Sequence, residues 1–361
     1  MQQSDKITAK QAFLLFFTLG FSPSVRLFPA VAAKNAKQAG WLTPIISFLL
    51  LFLLINIIQS LYKNNECKSL QEIMLNVTGK IIGRFLIVIN IVYCMILNAA
   101  YVRFYAERLT SSIYHSINIE VFIVIMLIIC AFVLYSGIVV ITRMNQILLP
   151  FIGIMFMSIT LLILGKLEVK NILPISYLDI IPIAKGSIGI TAICSYATIV
   201  FYFGDKIKGT DKIKKSGINV AIISFIFLVL MILATIGALG HNVVAKFPYP
   251  FFAATRLISL FETVERIESI LVALWIMADF IIIIIFAYVT LKLIKTLFNL
   301  SSIKPLIPLY FYFQYIMCQF IAINRIELDS FSEKILQPLN CIIFIGIPLI
   351  VYIIGKIRRV V

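Results

Sequence analysis

The feature of this sequence that most constrains its fold is a series of ten apolar runs, rich in Ile, Leu and Phe and separated by short polar segments. An apolar helix of about 20 residues spans the hydrocarbon core of a bilayer. The strands of a membrane β-barrel would alternate in hydrophobicity, and these runs do not. Backbone groups in lipid must then bond within helices. We predict spans over residues 8–33, 41–62, 81–105, 118–136, 144–165, 185–204, 217–239, 268–292, 305–323 and 336–355. The predicted fold class is an all-α integral membrane protein, embedded in a lipid bilayer by ten transmembrane helices.

The composition argues against nucleic acid, which is the usual partner of a basic chain. Hydrophobic residues make up 61% of the chain and charged residues only 13%, whereas about a quarter of a soluble domain is charged. The formal net charge of +15 therefore has no soluble face on which to act, and we expect no nucleic-acid partner. We predict a single permease-like transmembrane domain over residues 1–361.

The distribution of Lys and Arg predicts the orientation of the spans. The densest basic cluster, Lys206 to Lys215, lies in a short segment on the same side as the N-terminus. The two longest connecting segments, 166–184 and 240–267, fall on the opposite side. Because short basic loops stay in the cytoplasm, we predict that both termini are cytoplasmic.

The number of spans predicts an internal repeat. Five spans precede residue 165 and five follow residue 185. Two halves with an odd number of spans must lie in opposite orientations, as in the inverted repeats of transporters. We predict a five-plus-five inverted repeat, with repeat one at about 8–165 and repeat two at about 185–358.

The first helix of each half carries residues that interrupt a helix. In span 1 the stretch Gly20-Phe21-Ser22-Pro23-Ser24 contains a proline, which removes an amide donor and clashes with the preceding turn. Span 6 is rich in small and hydroxylated residues around Ser195, Tyr196 and Thr198. We predict discontinuous helices 1 and 6 around a midplane site, with the half-helix beginning near Ser24 directed at a ligand carboxylate. The alternatives are a simple proline kink in span 1 and a tightly packed small-residue helix in span 6.

Two ionisable residues are placed deep within the spans. Arg26 follows the predicted break in span 1, and Asp279 lies about halfway along span 8. A charge in lipid is costly and usually faces a partner inside the bundle, so we predict a mutual ion pair between them. The pair could replace a coupling cation, Asp279 could serve as a proton site, or the two could form a structural bridge.

Further polar residues complete the predicted site. Asn90, Asn98 and Tyr101 share one face of span 3, and Trp275 lies one turn before Asp279. The predicted ligand-binding residues are Gly20, Phe21, Ser22, Ser24, Arg26, Asn98, Tyr101, Ser195, Tyr196, Thr198 and Trp275.

Several local stretches resemble one known family over nearly the whole chain. They are Lys6-Ile-Thr-Ala-Lys-Gln11, Pro29, Ala39-Gly40-Trp41-Leu42, Pro248-Tyr-Pro-Phe251, Arg256-Leu-Ile258 and Glu265-Arg-Ile-Glu268. On these residues the chain resembles the B subunits, or spore permeases, of nutrient germinant receptors, within the amino acid–polyamine–organocation superfamily. The resemblance implies a midplane site between helices 1, 3, 6 and 8 that senses a small nutrient, often an amino acid. It also implies partner A and C subunits and a spore inner membrane location. The chain departs from the superfamily where Ser22-Pro23-Ser24 replaces a Gly-rich break.

Two functions remain open at this point. The first is a receptor subunit that binds a nutrient and signals to its partners. The second is a proton- or ion-coupled amino acid transporter with Asp279 as the coupling group. Because the six cysteines form no C-x-x-C pair and no catalytic pattern is present, we expect no enzyme activity, metal site or cofactor.

Overall fold

The computed structural model describes residues 6–63, 65, 68–112, 116–258 and 267–360, and this part of the chain is almost entirely helical. The α-helices are α1 (Ala9–Ala36), α2 (Thr43–Lys63), α3 (Leu70–Thr78), α4 (Lys80–Ser112), α5 (Ile119–Leu134), α6 (Ile138–Leu164), α7 (Ile180–Cys194), α8 (Ile213–Leu239), α9 (His241–Val244), α10 (Pro250–Thr255), α11 (Ile267–Phe298), α12 (Ile307–Phe320), α13 (Arg325–Phe331), α14 (Gln337–Cys341) and α15 (Ile347–Ile357). Short 3₁₀ helices cover Lys37–Leu42, Val169–Asn171, Tyr177–Asp179, Thr210–Lys212 and Lys304–Leu306, and a longer one covers Ser195–Lys206. Two strands, β1 (Ile7–Thr8) and β2 (Ile207–Lys208), pair in parallel.

Each predicted span corresponds to helical structure. In chain order the spans are α1, α2, α4, α5, α6, α7 with its 3₁₀ continuation, α8, α11, α12, and the segment from α13 to α15. Within the described residues, seven helical segments are long and apolar enough to cross a membrane, and the first, Ala9–Lys63, contains both α1 and α2. The helices α5 and α12 are shorter, with 16 and 14 residues.

The packing of the helices follows the predicted inverted repeat. The helix α1 packs against α8, and α2 packs against α7. In terms of spans, span 1 contacts span 7 and span 2 contacts span 6. A two-fold axis between the repeats relates span 1 to span 6 and span 2 to span 7, so it maps the first contact onto the second. The helices α4 and α11, which are spans 3 and 8, also pack against each other. The fold is a five-plus-five inverted repeat.

Span 1 contains its prolines within one continuous helix. A capping box between Thr8 and Gln11 starts α1, which remains helical through Pro23 and Pro29. The hydroxyl of Ser24 donates to the Gly20 carbonyl oxygen. A proline removes one backbone hydrogen bond, and the burial of α1 against α7 and α8 offsets that loss. The predicted interruption is therefore a pair of prolines inside a helix rather than an unwound stretch.

Span 6 is discontinuous, as predicted. The α-helical part ends at Cys194, and the chain continues as a 3₁₀ helix over Ser195–Lys206 with a non-helical Phe203 (φ −113°, ψ 32°). Runs of 3₁₀ helix longer than about four residues are uncommon, and such a stretch within a helix often marks a functional hinge. This segment is buried from Ser195 to Gly204.

Two features of the last span were not predicted. The span begins at Arg325 rather than near 336, and two π-helical segments interrupt it, Ser332–Leu336 and Ile342–Gly346. In the same way α4 continues to Ser112 rather than ending at 105. Both extensions bring charged residues into the bundle.

Candidate functional site

An ion pair joins span 1 to the start of the last span. Arg26 Nη1 lies 2.9 Å from Asp329 Oδ1. The guanidinium also lies over the ring of Phe104, 3.4 Å from its centroid. Arg26 is 4% exposed, whereas the Asp329 side chain is 40% exposed. The pair is therefore buried on one side and accessible on the other.

Asp279 has a different partner. Its Oδ2 accepts a hydrogen bond from Arg108 Nη2 at 2.8 Å, and its Oδ1 accepts from the Ser22 hydroxyl at 2.5 Å. Arg108 Nη1 donates to Ser22 Oγ at 3.0 Å, and all three residues are buried. The predicted ion pair between Arg26 and Asp279 is wrong. Arg108 and Asp329 both lie in helix extensions that the hydropathy pattern placed outside the spans, so neither was considered as a partner.

A small inner cavity lies between α1, α4, the 3₁₀ part of span 6 and the last span. Its space of about 10 Å³ is close to the minimum for one water molecule. The Tyr101 and Tyr196 hydroxyls are 2.5 Å apart. Asn340 Nδ2 donates to the Tyr196 oxygen at 3.1 Å, and the Tyr93 hydroxyl donates to Asn340 Oδ1 at 2.5 Å. This chain of hydrogen bonds fixes one wall of the cavity.

A larger outer cavity of about 160 Å³ lies on the other side of the ion pair. Asp329 and Glu333 line it together with Phe247 and Pro248. Three residues line both cavities: Arg26, Leu27 and Gln337. The Arg26–Asp329 pair therefore lies where the two cavities adjoin, with Arg26 lining both and Asp329 lining the outer one.

The Pro248–Phe251 stretch packs over this end of the bundle, which we call the outer end. Tyr249 stacks with Arg325, whose guanidinium carbon is 4.0 Å from the ring centroid. The same ring lies 5.9 Å from the ring of Trp275. The stretch thus links the segment before α11 to the last span. Two further residues of the family-like block, Glu265 and Arg266, lie outside the described residues.

The predicted ligand-binding residues fall into separate places. Arg26, Tyr101 and Tyr196 line the inner cavity. Gly20, Phe21 and Ser24 instead line an apolar cavity of about 40 Å³ against α7 and α8. Ser22 belongs to the buried network of Arg108 and Asp279.

The other predicted residues have local partners. The Asn98 amide donates to the Tyr310 hydroxyl at 2.9 Å. The Ser195 hydroxyl donates to the Ala192 carbonyl at 2.7 Å, and that of Thr198 to the Phe344 carbonyl at 2.6 Å. Trp275 stacks on Phe252 at 5.8 Å between ring centroids, with the Arg108 guanidinium 4.8 Å away. None of these four residues is among those that line the inner cavity.

Sequence reasoning missed the contribution of the last span. Gln337 and Asn340 line the inner cavity from α14, and Asp329 and Glu333 line the outer one. Two amides three residues apart within an apolar run were an available signal for α14. Nothing comparable distinguished Asp329, because it precedes the apolar run.

Comparison with known proteins agrees with this architecture and with the residues that carry the resemblance. A family model described as spore germination protein, the spore permease family, matches residues 6–326. The chain belongs to this family. The spore germination protein YndE of Bacillus subtilis (strain 168) is 23% identical over 99% of this chain and 98% of that protein. Spore germination protein KB of the same organism is 20% identical over 96% of the chain and 92% of its own length.

A solved structure of low sequence identity has the same fold. The crystal structure of MhsT in complex with L-phenylalanine superposes with a TM-score of 0.65, covering 92% of this chain and 87% of MhsT. The sequence identity is 13%, so the likeness concerns the fold. The spore permease chain is thus an integral membrane protein with a permease-like architecture.

Proposed function

We propose that this spore permease is the membrane subunit of a nutrient germinant receptor. In this proposal it binds a small nutrient, an amino acid, inside the bundle and signals to A and C partner subunits to trigger germination. The protein acts as one transmembrane domain in the spore inner membrane with both termini in the cytoplasm. We propose no catalytic role. The observation that supports the proposal is the Arg26–Asp329 pair, which lies where an outer cavity adjoins a smaller one lined by hydroxyl and amide groups.

The separated cavities suggest how binding could produce a signal. A solute in the outer cavity meets Arg26 and Asp329 before it reaches Tyr101 and Tyr196. The inner space holds little more than one water, so a ligand must move its walls apart. A ligand shifts a conformational equilibrium only by its difference in affinity for the two states. The part that moves is the last span with its π-helical segments, and this movement would reach the partner subunits.

The alternative function is a proton- or ion-coupled amino acid transporter, which the likeness to the MhsT fold favours. The surroundings of Asp279 count against it. Both carboxylate oxygens already accept hydrogen bonds, and the Arg108 guanidinium supplies the compensating positive charge. A coupling cation at this carboxylate would have to displace a buried guanidinium.

Binding and transport can be tested on the purified full-length chain. In lipid nanodiscs, we expect at least one of the common L-amino acids to raise the melting temperature, and the same amino acid to trigger germination of spores that carry the gene but not of spores from which it is deleted. In proteoliposomes we expect no accumulation of that amino acid under a proton or sodium gradient. Gradient-driven accumulation would favour the transporter, and the absence of any stabilising amino acid would contradict both functions.

A further inference from the structure

A buried amide on the last span lacks a partner. Gln337 is the first residue of α14, directly after the π-helical segment Ser332–Leu336. It is 6% exposed, and its Nε2 has no hydrogen-bond partner among the described residues. Buried polar groups are nearly always paired, so an unpaired donor calls for an explanation. Single π-helical turns within helices often occur at functional sites.

The position of Gln337 connects its amide with ligand access. Gln337 lines both cavities, as do Arg26 and Leu27. On its other side Gln337 packs closely against Gly189 of α7, where an added Cβ would lie 2.9 Å from Oε1. Because residue 189 is a glycine, there is room for the Gln337 amide at the place where the two cavities adjoin.

The charges that line the inner cavity favour a ligand oxygen. Among the described residues that line it, Arg26 is the only charged one, and the other polar groups are hydroxyls and amides. The carboxylates of Asp329 and Glu333 line only the outer cavity. A ligand carboxylate is consequently better matched to this space than a ligand ammonium group.

The first helix does not offer the alternative carboxylate site expected from the sequence. Because α1 is continuous from Ala9 to Ala36, the amides of Ser24, Val25 and Arg26 are engaged within the helix. Gly20 and Ser24 also face the apolar cavity. The recognition of a carboxylate must then come from another element.

We propose that Gln337 Nε2 donates a hydrogen bond to a carboxylate oxygen of the ligand, so that the last span, beside Arg26, recognises the carboxylate. The ligand class is a small molecule with a free carboxylate, and its side chain extends away from α14. This inference rests on the proposed function and specifies which end of the nutrient is recognised, and by which helix.

The test compares ligands with and without the carboxylate. Full-length protein in nanodiscs is titrated with the L-amino acid that most raises its melting temperature, with the amide of that amino acid and with its decarboxylated amine. For Gln337→Leu we expect amino acid binding to weaken by about 10- to 100-fold, as for a lost hydrogen bond to a charged group, and amine binding to stay the same. Gln337→Glu places a negative charge beside the ligand carboxylate and should weaken binding further.

Controls separate recognition from folding. Gln314→Leu removes another buried amide, one on α12 that donates to the Met95 carbonyl of α4 and lines neither cavity, and it should leave amino acid affinity unchanged. Gln337→Asn keeps the donor and should bind more tightly than Gln337→Leu. Unchanged affinity in Gln337→Leu, or equal losses for the amino acid and its amine, would overturn the inference while the proposed function stands. If no amino acid stabilises the unmodified protein, the proposed function fails and the inference fails with it.

Discussion

Arg26 and Asp329 are 303 residues apart in the chain, yet the guanidinium Nη1 of one lies 2.9 Å from the carboxylate Oδ1 of the other. The pair joins the first span to the last and lies between the two cavities. Every prediction about ligand access depends on this contact.

Breaking this pair should open the inner cavity. Asp329→Asn removes the charge that holds Arg26, so we expect faster exchange between the cavities. A cysteine introduced at Ala100, which is buried and lines only the inner of the two cavities, should react with a small maleimide several-fold faster when Asp329→Asn is also present. The measurement is the labelling rate of the full-length protein in nanodiscs. The protein without the introduced cysteine gives the labelling rate of the native cysteines, which is subtracted.

The neighbouring pair of Lys34 and Glu333 provides a matched control. Its N···O distance is 3.1 Å, but both side chains are more than half exposed, and exposed ion pairs contribute about 0–1 kcal/mol. Glu333→Gln should change the labelling rate of the introduced cysteine by less than about twofold. Equal effects of Asp329→Asn and Glu333→Gln would mean that the Arg26 pair does not close the inner cavity.

The buried network of Ser22, Arg108 and Asp279 should behave as a unit. Asp279→Asn leaves the Arg108 guanidinium without its countercharge, and breaking a buried pair costs about 3–5 kcal/mol. Arg108→Gln should cost a similar amount, and the double variant should lose much less than the sum of the two. Thermal unfolding in detergent measures the three losses.

Arg26 provides a comparison for the double-mutant cycle of Arg108 and Asp279. Since it pairs with Asp329 and not with Asp279, the losses from Arg26→Gln and Asp279→Asn should be closer to additive. Strong coupling between Arg26 and Asp279, with none between Arg108 and Asp279, would contradict the observed pairing.

The tyrosine wall of the inner cavity should be sensitive to the loss of one hydroxyl. Tyr196→Phe removes the oxygen to which Tyr101 and Asn340 are hydrogen-bonded. Leaving buried polar groups unpaired costs about 1–3 kcal/mol, so we expect a lower melting temperature and a weaker nutrient response. Tyr310→Phe is the control: it removes a buried hydroxyl that accepts from Asn98 away from the cavity, and it should lower stability without changing nutrient sensitivity. Unchanged nutrient sensitivity in Tyr196→Phe would remove this wall from the ligand site.

Two glycines should respond in opposite ways to the same substitution. A Cβ at Gly217 of α8 would lie 2.6 Å from Phe13 and 2.9 Å from Ile55, while a Cβ at Gly153 of α6 would meet no atom of the described residues within 4 Å. Gly217→Ala should destabilise the protein by about 1–3 kcal/mol through overpacking. Gly153→Ala should be neutral or stabilise by about 0.5–1 kcal/mol because alanine favours the helix. Equal melting temperatures for the two variants would contradict the close packing of α1, α2 and α8.

The sequence predicted the spans but not the charge pairs, and the reason is physical. Apolar runs record which residues contact lipid, so they located ten helices and the repeat. A helix that continues beyond its apolar run is held by tertiary contacts instead, as at Arg108 in α4 and Asp329 in α13. Arg108, the partner of Asp279, and Asp329, the partner of Arg26, lie in such extensions and were therefore assigned to loops.

The same limit applies to the helix interruptions and the cavity. Proline chemistry predicted a disturbance at Pro23, but the packing of α1 keeps the helix continuous. The small, hydroxylated composition of span 6 correctly indicated a departure from the α-helix after Cys194. The role of Gln337 depends on π-helical turns and on close contact with Gly189, and neither can be deduced from hydropathy.

The short parallel pairing of β1 with β2 makes the two ends of the bundle unequal. Ile7 and Thr8 pair with Ile207 and Lys208, so backbone hydrogen bonds fasten the start of span 1 to the end of span 6. At the outer end, span 1 is held to the last span by side-chain ion pairs that include exposed groups. The two ends are therefore held by different kinds of contact, main-chain pairing at one and side-chain charges at the other. If the outer end opens while this strand pairing persists, we expect a solute to enter and leave by the same face, which the proposed receptor allows and gradient-driven transport does not.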